Sequence, residues 1–490
     1  MRCSTGIDGL DNILGGGLPC YSLYSIQGAP GSGKTTFALQ FLLEGIKDKQ
    51  KTLYITFSET KKELARVAHS HGWNINDVSI MDLSSLEEQL NPDSQNTLFH
   101  PSEVELNQVF TLILNKIDEV SPQRIVFDSV SEMRLLAETP LRYRRQILSL
   151  KQALADRDIT VLFLDDLTIA NQDLQIHSIA HGVIHLSQVE HEFGAEKRKM
   201  KVIKLRGVDF IGGQHDMEIQ TGGIKVFPRM ISGQHSKESA VGFLESGNKE
   251  LDQMLGGGLD RGTASLFIGP AGTGKSNLIM RYALSAISKS EKVAYFCFDE
   301  TIANLKKRCL GLNIDLDEPI ESGFLRVQKV DPAELAPGAF AHLILELVTK
   351  EDFKMVVIDS LNGYIQSMPQ ENYLTLQLHE LLAYLNNQGV VTVMSVAQQG
   401  MIGVMTSPVD LTYLADTVLL TRYFESSGSV RKAISVIKKR TGPHETTIRE
   451  FSFNENGLTV GPELKGFEGI LTGVPRYTAS EGNLLINNND

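Results

Sequence analysis

Gly28-Ala29-Pro30-Gly31-Ser32-Gly33-Lys34-Thr35 returns 241 positions later as Gly269-Pro270-Ala271-Gly272-Thr273-Gly274-Lys275-Ser276, and both octets match G-x-x-x-x-G-K-[ST] in full. Glycines at these places let successive backbone N–H groups turn inward around phosphate oxygens. The lysine adds a mobile positive charge at the β- and γ-phosphates, and the hydroxyl that follows ligates Mg²⁺. The expected binding residues are Gly28, Gly31, Ser32, Gly33, Lys34, Thr35 and Thr36 in one loop. In the other they are Gly269, Gly272, Thr273, Gly274, Lys275, Ser276 and Asn277. The ligands expected are a nucleoside triphosphate and Mg²⁺, with Thr35 and Ser276 on the metal.

The repeat is larger than the loop. Leu14-Gly15-Gly16-Gly17-Leu18 and Leu255-Gly256-Gly257-Gly258-Leu259 precede the two loops, and Phe57-Ser58-Glu59-Thr60 and Phe298-Asp299-Glu300-Thr301 follow them, again 241 apart. A repeat of this length sets the architecture. The chain reads as a duplicated domain: residues 1–228, a linker over 229–240, a second domain over 241–470, and a flexible tail over 471–490. Within each half strands alternate with helices, which predicts an α/β fold: two tandem P-loop domains, each a mostly parallel sheet flanked by helices.

With 42% hydrophobic and 22% charged residues the 490-residue chain has the composition of a globular protein, and no apolar run approaches the length of a membrane span. Met1-Arg2-Cys3-Ser4-Thr5-Gly6 enters the first domain directly, so no signal peptide and a cytoplasmic location are expected. The four cysteines, Cys3, Cys20, Cys297 and Cys309, show no C-x-x-C spacing and read as reduced structural thiols. His177, His181 and His185 recur every four residues, but Gly182-Val183-Ile184 reads as a strand start that breaks a shared helical face. A net charge of −12 disfavours a nucleic-acid partner, which needs a basic stripe. The dense cluster Arg142-Tyr143-Arg144-Arg145 reads either as a solvated or subunit-contact helix face or as a binding element.

Each half carries a second nucleotide element: Arg124-Ile125-Val126-Phe127-Asp128-Ser129 and Met355-Val356-Val357-Ile358-Asp359-Ser360. Four apolar residues closing on an aspartate describe a buried strand that delivers one carboxylate, Asp128 or Asp359, to Mg²⁺. Glu59 and Glu300 end the strand after the P-loop helix, where a glutamate can orient water against the γ-phosphate; the alternative is a helix cap or first-turn acid. Lys204 with Arg206, and Lys438 with Arg440, stand two apart in apolar-alternating strands, so each pair shares a face. Side by side, two cations want an anion. A neighbouring subunit's γ-phosphate would satisfy them, and a plain surface salt bridge is the other reading.

Together these motifs, with L-G-G-G-L before each loop, F-x-E-T after it and K-x-R-[GT] near each domain end, resemble the KaiC family over nearly the whole chain. The resemblance implies two tandem RecA-like domains in a homohexameric double ring with ATP at subunit interfaces, a first ring that hydrolyses ATP and a second that autophosphorylates as a serine/threonine kinase. It also implies signalling or clock-like regulation and a KaiB-like protein partner. Departures are visible. Ser58 replaces the first of two adjacent glutamates and leaves Glu59; Asp299 stands where the family has its phosphotransfer base. Aligned on Asp416-Thr417, the two phosphosites fall on Thr412 and Tyr413, the alternative being that Thr412 packs as a loop residue.

Asn91-Pro92-Asp93-Ser94-Gln95-Asn96-Thr97 reads as a surface insertion in the first half, either a partner-docking loop or a neutral excursion. Gly473-Val474-Pro475-Arg476 resembles the start of the family's tail, but the short polar end that follows argues against activator recruitment and a clock role. Two other classes stay open: a nucleotide-gated scaffold with little catalysis, favoured by Ser58, and a RecA-like DNA helicase or recombinase. The latter is disfavoured by the uncharged stretch Gln398-Gln399-Gly400-Met401-Ile402-Gly403-Val404-Met405.

Overall fold

The computed structural model describes residues 1–83, 101–137, 139–155, 157–167, 175–189, 194–230, 241–331, 333–366, 374–398, 412–426, 428–454, 457–471 and 476–477. The chain divides into two compact units, Met1–Arg229 and Met230–Asp490. Each unit is built on one nine-stranded sheet. The expected insertion over Asn91–Thr97, nearly all of the expected linker and nearly all of the tail lie outside the described residues, as does Gln399–Met405.

In the first unit the P-loop strand Leu23–Gly28 lies between Thr160–Asp166 and Gly182–Val189, both parallel to it. Beyond Thr160–Asp166 follow Arg124–Asp128, Thr52–Thr56 and Ser79–Asp82, all parallel. Beyond Gly182–Val189 the sheet continues antiparallel through Lys197–Leu205, His215–Gln220 and Gly223–Phe227. The second unit repeats this order around Ala264–Gly269. Phosphate loops therefore sit at the C-terminal ends of parallel strands, where open α/β sheets place their ligands.

Central strands are covered on both faces, so they are buried end to end rather than on alternate residues. Every residue of Leu23–Gly28, Thr52–Thr56 and Arg124–Asp128 is buried. One face packs Phe37, Phe41 and Leu42 of the P-loop helix Lys34–Lys47 onto Tyr24, Ile26 and Leu162. The other gathers Ile113, Ile147 and Leu150 onto Phe127 and Phe163. In the second unit Leu278, Ile279 and Tyr282 cover one face, and Phe340, Ile344, Leu378 and Leu382 the other.

The repeated L-G-G-G-L stretch is a structural device. Its glycines all take positive φ, and a Cβ at Gly17 would stand 2.5 Å from the Cys3 carbonyl oxygen, one at Gly258 2.6 Å from that of Leu244. These close approaches let Leu18–Pro19 pair with Arg2–Cys3 and Leu259–Asp260 with Phe243–Leu244. All four cysteines are unpaired, and Cys3, Cys297 and Cys309 are buried.

Arg124 is 1% exposed at the root of the Asp128 strand. Its guanidinium donates to the carbonyls of Ser4 and Phe41, each at 2.8 Å, and to Gln50 Oε1, and lies over the Phe41 ring. Its ion pair with Asp48, at 3.0 Å, faces a half-exposed partner and adds little. Arg124→Ala strands buried acceptors and opens a cavity, so chemical denaturation is expected to show a loss of about 3 kcal/mol in the first unit. Met355 fills the equivalent place in the second unit, fully buried.

Candidate functional site

In the first loop Gly31 and Gly33 take φ of 80° and 102°; in the second, Gly272 and Gly274 take 79° and 104°. Side chains rarely adopt this region, and the turns it allows aim N–H groups inward. Gly28 and Gly269 answer a different demand: a Cβ there would stand 2.6 Å from the Leu186 carbonyl oxygen and 2.3 Å from that of Thr421. Ser32 and Thr273 are fully buried beneath the loops, and Thr273 Oγ1 hydrogen-bonds Thr421 Oγ1 at 2.8 Å. Thr36 and Asn277, one residue past the hydroxyls of Thr35 and Ser276, contact His71 Nε2 at 3.5 Å and the Arg308 guanidinium respectively.

Lys34 Nζ donates to the carbonyls of Gly28 and Ala29, each at 2.9 Å, and pairs with Asp166 at 2.6 Å. Lys275 Nζ makes the same two backbone bonds, to Gly269 at 2.8 Å and Pro270 at 2.7 Å. Ala397 stands where Asp166 does, so burial pulls the Lys275 ammonium down to about 8 with only Asp359 opposing. A buried ammonium with no carboxylate beside it fits a phosphate.

Thr35 Oγ1 donates to Asp128 at 3.4 Å, and the Tyr54 hydroxyl donates to the same carboxylate. Burial pushes the Asp128 carboxyl above the usual range, with Asp166 adding to the rise and Tyr54, Lys34 and Thr35 opposing it. It is an anion short of a cation, and a hydroxyl with one carboxylate fits Mg²⁺, which takes few protein ligands and completes its shell with water and phosphate. Among the described residues no group of three or more His, Cys, Asp or Glu could hold a metal by itself. In the second half Asp359 receives the Tyr295 hydroxyl at 2.5 Å and that of Ser395, with Ser276 again following the P-loop lysine. The two tyrosines were not foreseen from the sequence, because they act across strands.

The two glutamates are not helix caps. Thr60 and Thr301 cap the following helices, accepting from the backbone N–H of Glu63 and Asn304 at 3.3 and 3.2 Å. Phe57 N donates to the Asp128 carbonyl and Phe298 N to that of Asp359, each at 2.8 Å, which sets Glu59 and Glu300 just beyond those aspartates. Glu59 Oε2 is buried with no hydrogen-bond partner. Burial, then Asp128, Glu63 and Asp166, push its carboxyl up to about 7 against the pull of Lys34. Glu300 is engaged by Arg308, with Nη2–Oε2 at 2.9 Å and Nε–Oε1 at 3.2 Å. Asp299 is exposed and accepts from the Ser360 hydroxyl.

Both Lys-x-Arg pairs aim at one face, as their spacing predicts. Lys204 Nζ donates to the carbonyls of His177 and Ala180, and Arg206 Nη2 to that of Ser178 at 2.8 Å. Lys438 Nζ donates to the carbonyls of Thr412 at 2.8 Å and Ala415 at 2.7 Å, Arg440 Nη2 to that of Tyr413 at 2.8 Å, and Arg440 pairs with Asp416 at 3.4 Å. Each pair thus grips the turn before the strand beside the P-loop strand. Those turns lie at the opposite edge of the sheet from their own phosphate loop: His181 N donates to the Leu23 carbonyl, and Asp416 N to that of Ala264, at the starts of the P-loop strands.

The three spaced histidines do not share a helix. His177 is on Gln175–Ile179, whereas His185 is in strand Gly182–Val189. The basic cluster lies on helix Pro140–Ala155, which buries Tyr143 and sends Arg144 to the Ser178 hydroxyl at 3.0 Å. No helix is long and apolar enough to cross a membrane among the described residues.

Comparison with known proteins agrees with this geometry. The family model described as "ATPase: KaiC" matches residues 3–231 and again 244–465. The chain is 27% identical to the circadian clock oscillator protein KaiC of Rippkaea orientalis, over 99% of this chain and 93% of that protein. It is 28% identical to KaiC of Thermosynechococcus vestitus, over 97% and 92%, and 26% identical to the circadian clock protein KaiC3 of a Synechocystis species, over 98% and 95%. With two P-loops, an aspartate closing a buried strand beside each, and a family match that spans both halves, the chain belongs to the KaiC ATPase family.

Proposed function

We propose that this protein hydrolyses ATP at its first site, transfers phosphate to itself at its second, and does so as a homohexameric double ring with nucleotide between subunits. The observation that carries the hydrolytic half is Glu59: a half-buried carboxylate with one buried, unpartnered oxygen, near Asp128 and Lys34 of the P-loop. In hydrolysis a water oxygen bonds the γ-phosphorus, the bond to the β–γ bridging oxygen breaks, ADP leaves, and the water's proton passes to Glu59. Thr35 and Asp128 would hold Mg²⁺, which neutralises charge on the β- and γ-oxygens when bound. Lys34 leaves Asp166 for phosphate.

The ring reading is supported by the placement of the Lys-x-Arg pairs. One strand of six residues, about 17 Å at the usual rise, separates Ala264 from Gly269. Lys438 and Arg440 stand at the first end and their own phosphate loop at the second, so they can meet a nucleotide only on another subunit. The same holds for Lys204 and Arg206. Thr412 and Tyr413 lie on the gripped turn and are the proposed acceptors, with Asp299 as the base. Regulation through a KaiB-like partner follows from the family alone.

The test is to incubate the protein with Mg²⁺ and γ-labelled ATP, following released phosphate and protein-bound label together, with chain mass measured by sedimentation. Both signals from a hexamer are expected. Neither signal from protein that still binds ATP would leave a nucleotide-gated scaffold.

A further inference from the structure

The two halves differ at one side chain that decides what their glutamates can do. Arg308 lies on helix Ile302–Leu310, eight residues after Glu300, and its fork occupies both carboxylate oxygens. Its third nitrogen, Nη1, donates to Asn277 Oδ1, on the first turn of the P-loop helix. Both members of the ion pair are largely shielded, with side-chain exposures of 27% and 29%. The matching positions of the first half, 241 residues earlier, are Val67 and Thr36. Neither carries a charge, and Glu59 keeps an oxygen without a donor.

A carboxylate accepts a proton from water through a free lone pair directed at that water. A two-pronged guanidinium contact takes one lone pair on each oxygen and fixes the plane of the group, so neither oxygen is free to turn toward a water. The third bond, to Asn277, anchors the guanidinium to the P-loop helix, so Glu300 is drawn toward that helix. Asp299 escapes this contact. It accepts from Ser360, the residue after the metal aspartate, and is the carboxylate of the pair left to receive a proton.

We infer that Arg308 is a positioning residue that withholds Glu300 from water activation, so that the second site favours transfer to a protein hydroxyl over hydrolysis. In that transfer the hydroxyl oxygen bonds the γ-phosphorus, the β–γ bridging bond breaks, ADP leaves, and the hydroxyl proton passes to Asp299. The inference rests on the assignment of ATP hydrolysis to a glutamate at this position, as proposed for Glu59.

The test uses the full-length chain in a Glu59→Gln background, which removes first-site hydrolysis. Phosphate release from MgATP is compared for this chain, for the same chain with Arg308→Val, and for the chain with Arg308→Val and Glu300→Gln. Arg308→Gln serves as a second uncharged replacement of similar reach should valine fail to fold. The expected result is a rise of about tenfold or more in kcat with KM unchanged, abolished when Glu300→Gln is added. A mere loss of structure would not raise kcat. Unchanged release from folded, ATP-binding Arg308 variants would overturn the inference, as would a rise that survives Glu300→Gln. If Glu59→Gln alone releases phosphate at the wild-type rate, the first-site assignment is wrong, and the change on adding the Arg308 substitution still decides the role of Arg308.

Discussion

Glu59→Gln lowers phosphate release from MgATP by about 10²-fold or more while ATP still binds, because the amide keeps the shape of the carboxylate and loses its basicity. In the wild type the reaction needs Glu59 ionised. Its carboxyl is pushed up to about 7, so kcat falls about tenfold per pH unit below that value and levels off above it. The stability effect has the opposite sense. A folded-state pKa raised from 4.5 means that the folded chain binds more protons than the unfolded one between 4.5 and about 7, so Glu59 lowers stability as pH rises through that window. At pH 8 Glu59→Gln should therefore be at least as stable as wild type, and more stable by on the order of 1 kcal/mol after allowance for solvent screening of a half-buried group. Phosphate release across pH 5.5–8.5, with melting curves at pH 5 and pH 8, checks both halves. A flat pH profile, or full activity in Glu59→Gln, would remove Glu59 as the base.

That one substitution should cost activity without costing stability is a property of a functional residue, and the sequence made its place legible. Glu59 stands out as the acid ending the strand after the P-loop helix, and Asp128 and Asp359 as the acids that close four apolar residues. Period-2 spacing placed each Lys-x-Arg pair on one face. What the sequence hid are contacts between residues far apart in the chain. Tyr54 meets Asp128 across neighbouring strands, and Lys34, at the start of the P-loop helix, meets Asp166 at the end of another strand; no local pattern marks a tyrosine as a partner of such an aspartate. The difference between Glu59 and Glu300 was hidden for another reason: both stand in the same F-x-E-T motif, and it is Arg308 against Val67, outside the motif, that separates them. The repeat itself made the halves look more alike than their sites are.

Lys275→Ala abolishes protein-bound label, to below about a hundredth of wild type, since the buried ammonium is the second loop's only mobile cation for phosphate. Thr412→Ala does the same, whereas Tyr413→Phe keeps the label. Lys438 and Arg440 fix the backbone of this turn through the carbonyls of Thr412, Tyr413 and Ala415, and a short side chain on a fixed backbone holds its hydroxyl in one place. Tyr413, 54% exposed, carries its hydroxyl at the end of a long side chain. The two null variants then make a sharper test than either alone. Thr412 and its own P-loop stand at opposite edges of the sheet, so on the proposed ring reading transfer crosses a subunit boundary. Mixed and allowed to exchange subunits, Lys275→Ala chains supply the acceptor and Thr412→Ala chains the phosphate site. Label should return, and only on the Lys275→Ala chains. Mixtures that exchange subunits and stay unlabelled would mean that the turn reaches its own nucleotide by a rearrangement of the sheet edge, and the ring would lose its main support.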